Sequence, residues 1–268
     1  RNVIVKVFTH KLSGWRHVIR EWKGLNTLVN RKINVPDPLF LGKTEKGDWV
    51  VVTEKINDSN TVLEIFNYTQ NPEKKLELLL LMCRELAIQH KAGVLQKDFH
   101  LENFIQANGK IYTLDPGQMK FFTQEVPKDK SISNLAMLML YLQDNDKISR
   151  DIICGEYFKL RRWKYTNQEE YPIQKQIELQ RKKGIKRGLK KCLRTSKRVF
   201  RIKKDGITAV FDKTFCNETK ALDFINQIDN LILEGKILKN GNTCYVSHLA
   251  WNNNNIVIKR YNHKNLLY

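Results

Sequence analysis

Asp98 and Asn103 stand five residues apart in a polar stretch, and Asp115 follows twelve residues later, directly before Pro116 and Gly117. Two carboxylates and an amide in this order suit phosphoryl transfer. One carboxylate accepts or orients the proton of an attacking hydroxyl. The second, with the amide oxygen, holds Mg²⁺ against the phosphates. An Asp-x4-Asn loop, a hairpin and an Asp-x-Gly form the order that kinase chemistry uses. Upstream, Lys6 lies in a β-branched run and Glu21 in the next helical stretch, a spacing suited to an ion pair that aligns nucleotide phosphates. Taken singly, Asp98 suits a turn, Asn103 a loop and Lys6 a half-exposed strand; taken jointly, the kinase reading outweighs these. His100 reads equally as a contact of the loop or substrate and as a buried structural histidine. There is no convincing His and Cys metal cluster and no Gly-x-Ser-x-Gly elbow.

The elements that must position these groups follow from pattern. Val3 to Phe8 is a buried-type strand carrying Lys6. A helix over Ile19 to Val29 places Trp22, Leu25 and Leu28 on one face, with Glu21 near its start. Pro36 and Pro38 end it. Strands Leu39 to Leu41 and Trp49 to Thr53 flank a turn over Glu45 to Asp48. Val62, Ile65 and Phe66 suggest a short helix. A longer one begins near Pro72 and runs to about Lys91, stopped by Gly93. Two short strands surround Asn108-Gly109, and Ser133 to Leu142 reads as an apolar helix. Phe200 to Ile202 and Thr208 to Phe211 form a hairpin around Asp205-Gly206, Ala221 to Ile232 a helix, and the tail returns to strand.

The chain has 268 residues, 47 Lys and Arg against 28 Asp and Glu, and a net charge of +19. With 41% apolar residues it is a folded type of chain, and its charge points to anionic partners. Residues 181–204 hold thirteen Lys or Arg and no acid, with Ile185, Leu189 and Leu193 on one helical face. This basic amphipathic segment suits an anionic membrane surface or a phosphorylated glycolipid. Nucleic acid fits poorly, since Phe200 is the only aromatic there to stack on bases. The longest apolar run, Leu76 to Met82, is too short to span a bilayer and contains Glu77. Five scattered cysteines without Cys-x-x-Cys spacing argue for a reducing compartment. The location expected is cytoplasmic, with peripheral contact at the inner face of the membrane.

Four segments carry a family resemblance: REWKGLNTLVNRKINVPDPLFLG (20–42), WVVVTEKI (49–56), HKAGVLQKDFHLENF (90–104) and YTLDPGQM (112–119). Over roughly residues 1–200 the chain resembles the lipopolysaccharide kinase family (Kdo and core-heptose kinases), whose fold is protein-kinase-like. The resemblance implies ATP- and Mg²⁺-dependent transfer to a sugar hydroxyl of an anionic glycolipid. Asp98 would be the base, Asn103 and Asp115 the metal ligands, and Lys6 with Glu21 the phosphate-aligning pair. Glu54 and Ile56 are candidate nucleotide contacts. A pseudokinase or nucleotide-binding regulatory module, or an aminoglycoside- or RIO-like kinase for small molecules or proteins, is the alternative. Three departures stand out. Gln96-Lys97 precedes the aspartate, Pro116 sits between Asp115 and Gly117, and only five residues precede Lys6, where two strands and a phosphate-covering loop would lie.

A second copy of the Lys6 strand occurs near the other end. Asn2, Lys6, His10 and Lys11 match Asn255, Lys259, His263 and Lys264 at a constant offset of 253. Before Lys259 come a strand, a small-residue loop at Gly241 and another strand, like the opening of a kinase small lobe. Gly241 and Lys259 are therefore further candidate nucleotide contacts. The class expected is α+β: a protein-kinase-like two-lobed fold whose small β-rich lobe lacks its first strands, followed by the opening strands of a second kinase-like module. The boundaries expected are 1–56, 57–197, 198–235 and 236–268. A slice of a tandem kinase is the preferred account. Circular permutation, with 236–268 completing the small lobe of 1–53, and chance likeness of two short strands are the rivals.

Overall fold

In the computed structural model, residues 2–9 and 14–261 are described. His10, Lys11, His263 and Lys264 of the repeated pattern lie outside them. The fold is of the α+β class, and its contacts divide it into two compact units, Arg1–Lys183 and Gly184–Tyr268.

The first unit opens with β1 (Val3–Phe8), α1 (Gly14–Asn30), β2 (Pro38–Lys43) and β3 (Trp49–Glu54). The strands form an antiparallel sheet in the order β1-β3-β2, with Lys6 opposite Val51. Val18, Leu25 and Leu28 of α1 pack on Val51 of β3, with Ile33 and Val35 from the following loop. The helix begins five residues before the expected Ile19, because Val18 belongs to the same apolar stripe. Glu21 lies in that stripe too and is only 8% exposed, so it needs a cationic partner. Val3, Ile4, Val5 and Val7 of β1 are exposed rather than buried as the run suggested, because β1 is an edge strand.

Next come β4 (Asn60–Thr61), α2 (Val62–Tyr68), α3 (Pro72–Lys91), β5 (Val94–Gln96), β6 (Phe104–Ala107), β7 (Lys110–Thr113) and β8 (Met119–Phe121). α2 starts with a capping box, Thr61 Oγ1 accepting from Glu64 N while the Glu64 carboxylate accepts from Thr61 N. Asn71 caps α3 by accepting from Glu73 N at 2.8 Å, and Gly93 follows with φ 71°. β6 and β7 turn through Asn108-Gly109, both at positive φ, the geometry a two-residue hairpin requires. β5 pairs with β8, a contact between short strands 25 residues apart that local pattern does not reveal.

Then follow α4 (Lys128–Leu138), α5 (Lys147–Leu160) and α6 (Asn167–Cys192). α4 begins earlier than the expected Ser133 and gives way to a 3-10 turn over Met139–Tyr141. α3, α4 and α5 bury Leu79, Met82, Leu86, Leu135, Leu138, Ile153 and Phe158 in one core, joined by Phe99 and Leu101 from the loop segment and Phe104 at the start of β6. No helix among the described residues is long and apolar enough to cross a membrane.

The second unit holds β9 (Val199–Lys204), β10 (Ile207–Asp212), α7 (Glu218–Glu234), β11 (Lys236–Asn240), β12 (Cys244–Trp251) and β13 (Asn254–Tyr261). β9 and β10 form the hairpin around Asp205-Gly206. β11, β12 and β13 form an antiparallel meander, and Asn252-Asn253 makes its second turn at positive φ. Phe215 stacks on Trp251 at 5.3 Å and Phe224 meets it edge-on at 4.8 Å, at the centre of a small separate core.

Candidate functional site

β1 and α1 bring Lys6 and Glu21 together: Lys6 Nζ lies 3.0 Å from Glu21 Oε1. The same ammonium lies 2.5 Å from Asp115 Oδ1. Burial works against the charge on Lys6, yet the hydrogen bond it donates to Asp115 and the charges of Glu21 and Asp115 raise its pKa on balance. Glu21 uses its second oxygen to accept from Gly117 N at 3.3 Å. One buried carboxylate thus fixes both the lysine and the turn after Asp115.

That turn is shaped by sequence. Asp115 ends the segment after β7 in the left-handed region, φ 51° and ψ 53°, a conformation that costs energy for any residue with a Cβ. Pro116 starts a 3-10 turn over Pro116–Gln118 and is buried against α1. A Cβ on Gly24 would stand 2.8 Å from Pro116 Cβ and 2.9 Å from its carbonyl oxygen. Gly24 therefore permits the close approach of helix and turn. This packing role is not legible in the sequence, since a lone helical glycine carries no local signal.

The Asp98 loop is tied to this turn by backbone. Leu114 N donates to Asn103 O at 2.8 Å, and Asn103 Nδ2 donates to Asp98 O at 3.1 Å. Asn103 uses its donor within the loop, which leaves Oδ1 as its remaining acceptor. Asp98 Oδ1 lies 3.2 Å from His100 Nε2, and both side chains are about half exposed, so His100 is not a buried structural residue.

A second set of contacts was missed. Gln96 Nε2 donates to Gln89 Oε1 at 3.0 Å, and Gln89 Nε2 donates to Thr113 Oγ1 and to Glu85 Oε1, both at 2.9 Å. Gln96 precedes Asp98 by two residues and Thr113 precedes Asp115 by two. A buried amide chain through α3 thus sets the strand ends before the two aspartates at a fixed spacing. Asn134 Nδ2 donates to Gln96 O at 2.9 Å, so Asn134 Oδ1 accepts from His90 Nε2 at 3.0 Å. His90 Nδ1 then accepts from Tyr157 OH. Burial, against a smaller opposing effect of the Asn134 bond, lowers His90 to about 3, so it is neutral in this network. Gln96, which departs from the kinase pattern, is here an anchor of the loop.

Among the described residues no three His, Cys, Asp or Glu side chains converge as a metal-holding group. The expected Mg²⁺ ligands are one carboxylate, Asp115, and one amide oxygen, Asn103 Oδ1. Mg²⁺ bound with phosphates takes only one or two protein carboxylates, its other positions going to phosphate and water. The donor set present fits that mode and does not fit a closed protein cage.

The remaining candidates lie elsewhere. Glu54 and Ile56 line a cavity of about 620 Å³ with Asn34, Asp37, Asn108 and Tyr112. None of Lys6, Glu21, Asp98, Asn103 or Asp115 lines it. Glu54 N donates to Asp37 O and Lys55 N to Asn2 O, so this segment is held by backbone bonds. Lys259 and Gly241 belong to the second unit. Lys259 pairs across the sheet with Val246 and sits 4.6 Å from the Tyr261 ring, and Gly241 N donates to Cys244 O at 3.1 Å. Compared with models of known protein families and with curated proteins, the chain matches none.

Proposed function

We propose that this chain is a protein-kinase-like phosphotransferase that moves the γ-phosphoryl group of ATP to a sugar hydroxyl of a lipopolysaccharide-type glycolipid. The observation that carries the reading is the Lys6–Glu21 pair on β1 and α1, closed onto Asp115 and hydrogen-bonded through Glu21 to Gly117. Mg²⁺, when bound, neutralises phosphate charge that develops in the transition state. Asp115 and Asn103 Oδ1 are the groups to hold it, and Lys6 the cation to meet the phosphates. Glu21 keeps Lys6 in place. Asp98 accepts the proton of the acceptor hydroxyl as its oxygen bonds to phosphorus and the bond to the ADP oxygen breaks. The small β-rich part carries Lys6 and the helical part carries Asp98, the division of labour of a two-lobed kinase. The β11–β13 meander, with Lys259 on its third strand, reads as the opening of a second small lobe in a tandem arrangement.

The test is ATP turnover with Mg²⁺ against lipid A-core acceptors, proteins and aminoglycosides. Asp98→Ala should lower transfer by at least about a hundredfold, and equal transfer by wild type and variant removes Asp98 as base. A second reading is favoured by Pro116, which stands between Asp115 and Gly117: a nucleotide-binding module without turnover. In that case ATP–Mg²⁺ raises the melting temperature while no acceptor is phosphorylated.

A further inference from the structure

α6 changes character partway along. Its first half is packed: Ile173 and Ile177 are each 2% exposed, and Gln180 Nε2 donates to Ser133 Oγ at 2.8 Å. From Lys182 to Arg198 every residue is exposed, although the helix continues to Cys192. Ile185 and Leu189, with Leu193 directly after the helix, lie at four-residue spacing and are 59%, 63% and 61% exposed. Lys183, Lys186, Arg187, Lys190, Lys191 and Arg194 occupy the opposite side and flanks, and no acid occurs from Arg181 to Lys204.

A helical stretch this short has little stability of its own in water, and the main source of helical stability in proteins is burial of an apolar face. The charge pattern selects what covers this one. A second copy of the same face would bring two acid-free cationic helices together, which repel. A nucleic acid would satisfy the cations and leave the leucines in water, with no aromatic on the stripe to stack on bases. An anionic bilayer satisfies both: apolar side chains enter the headgroup boundary while lysines and arginines meet lipid phosphates. We infer that residues 181–194 dock this protein on an anionic lipid bilayer. The inference stands on the helix alone and is independent of the phosphotransferase reading.

The experiment is co-sedimentation of the full chain with phosphatidylcholine vesicles, with and without phosphatidylglycerol. Wild type should sediment only with the anionic vesicles and be released by high salt. Lys190→Gln should weaken partitioning about fivefold, the loss of one surface cation. The double substitution Ile185→Ser with Leu189→Ser should weaken it by about tenfold or more. Both side chains are exposed, so an unchanged circular dichroism spectrum and melting temperature establish that the variant is folded. Equal sedimentation with neutral vesicles overturns the inference, as does unchanged partitioning of the double variant. So does a preference for single-stranded polynucleotide that Lys190→Gln weakens and the serine substitutions leave intact.

Discussion

Glu85 and His90 lie five residues apart on α3 and respond to pH in opposite directions. Burial raises the pKa of Glu85, only partly offset by the hydrogen bond from Gln89. Its folded value exceeds its unfolded one, so its contribution is fully present at acid pH and is lost as pH rises through the folded value. Glu85→Gln keeps an acceptor for Gln89 and removes that penalty. The variant should melt at a higher temperature than wild type at neutral pH, with the difference shrinking near pH 4. His90 is depressed, from 6.5 to about 3. Its contribution is present above pH 6.5 and is lost as pH falls toward 3, at about 1.4 kcal/mol per pH unit. His90→Gln should be less stable at neutral pH but show a flatter profile between those limits in denaturant titrations. A parallel profile would mean that His90 is charged in the folded protein.

At the scale of elements, the Asp115–Gly117 turn and α1 behave as one piece. Gly24→Ala places a methyl against Pro116 backbone and side chain, neither of which can rotate away. It should cost about 1–3 kcal/mol in stability. On the phosphotransferase reading proposed above it should also weaken ATP–Mg²⁺ binding, because Glu21, which holds Lys6 of β1, moves with the helix. Gln89→Leu tests the amide chain on α3 without touching the site itself. Amide exchange should quicken at both ends of that chain, residues 97–103 and 113–117, while α5 keeps its protection. Faster exchange at one end alone would mean that the two loops are held independently. The legible part at this scale was considerable. The Lys6 strand, the Glu21 helix and the Asn108-Gly109 hairpin follow from period and turn chemistry. α5 and the β5–β8 pair did not: Gly155 and the β-branched Ile148, Ile152 and Ile153 weaken the helical signal of α5, and β5 and β8 are three residues each with partners distant in sequence.

At the scale of the whole molecule, two units with separate cores predict separable unfolding. Calorimetry should give a total enthalpy larger than the van't Hoff value of either transition. The net charge of +19 adds self-repulsion that salt screens. Raising ionic strength from low values to about 0.15 M should therefore raise the melting temperature. A fall would mean that local ion pairs such as Lys128–Glu169 outweigh the global charge.

By itself the sequence determined which chemically able groups are present and in what order along the chain. Carboxylate, amide and lysine identity is covalent, and turns such as Asn108-Gly109 are set by backbone preferences of single residues. Only the tertiary structure decided that Glu21, in an apolar stripe, closes on Lys6 and Gly117, and that Gln89 links the strands before Asp98 and Asp115. It also decided that the two lysine strands, so alike in sequence, fall in different units, with Glu54 and Ile56 lining a cavity apart from Lys6. Each of these depends on which buried polar group finds a partner, and that is settled by long-range packing rather than by neighbours along the chain.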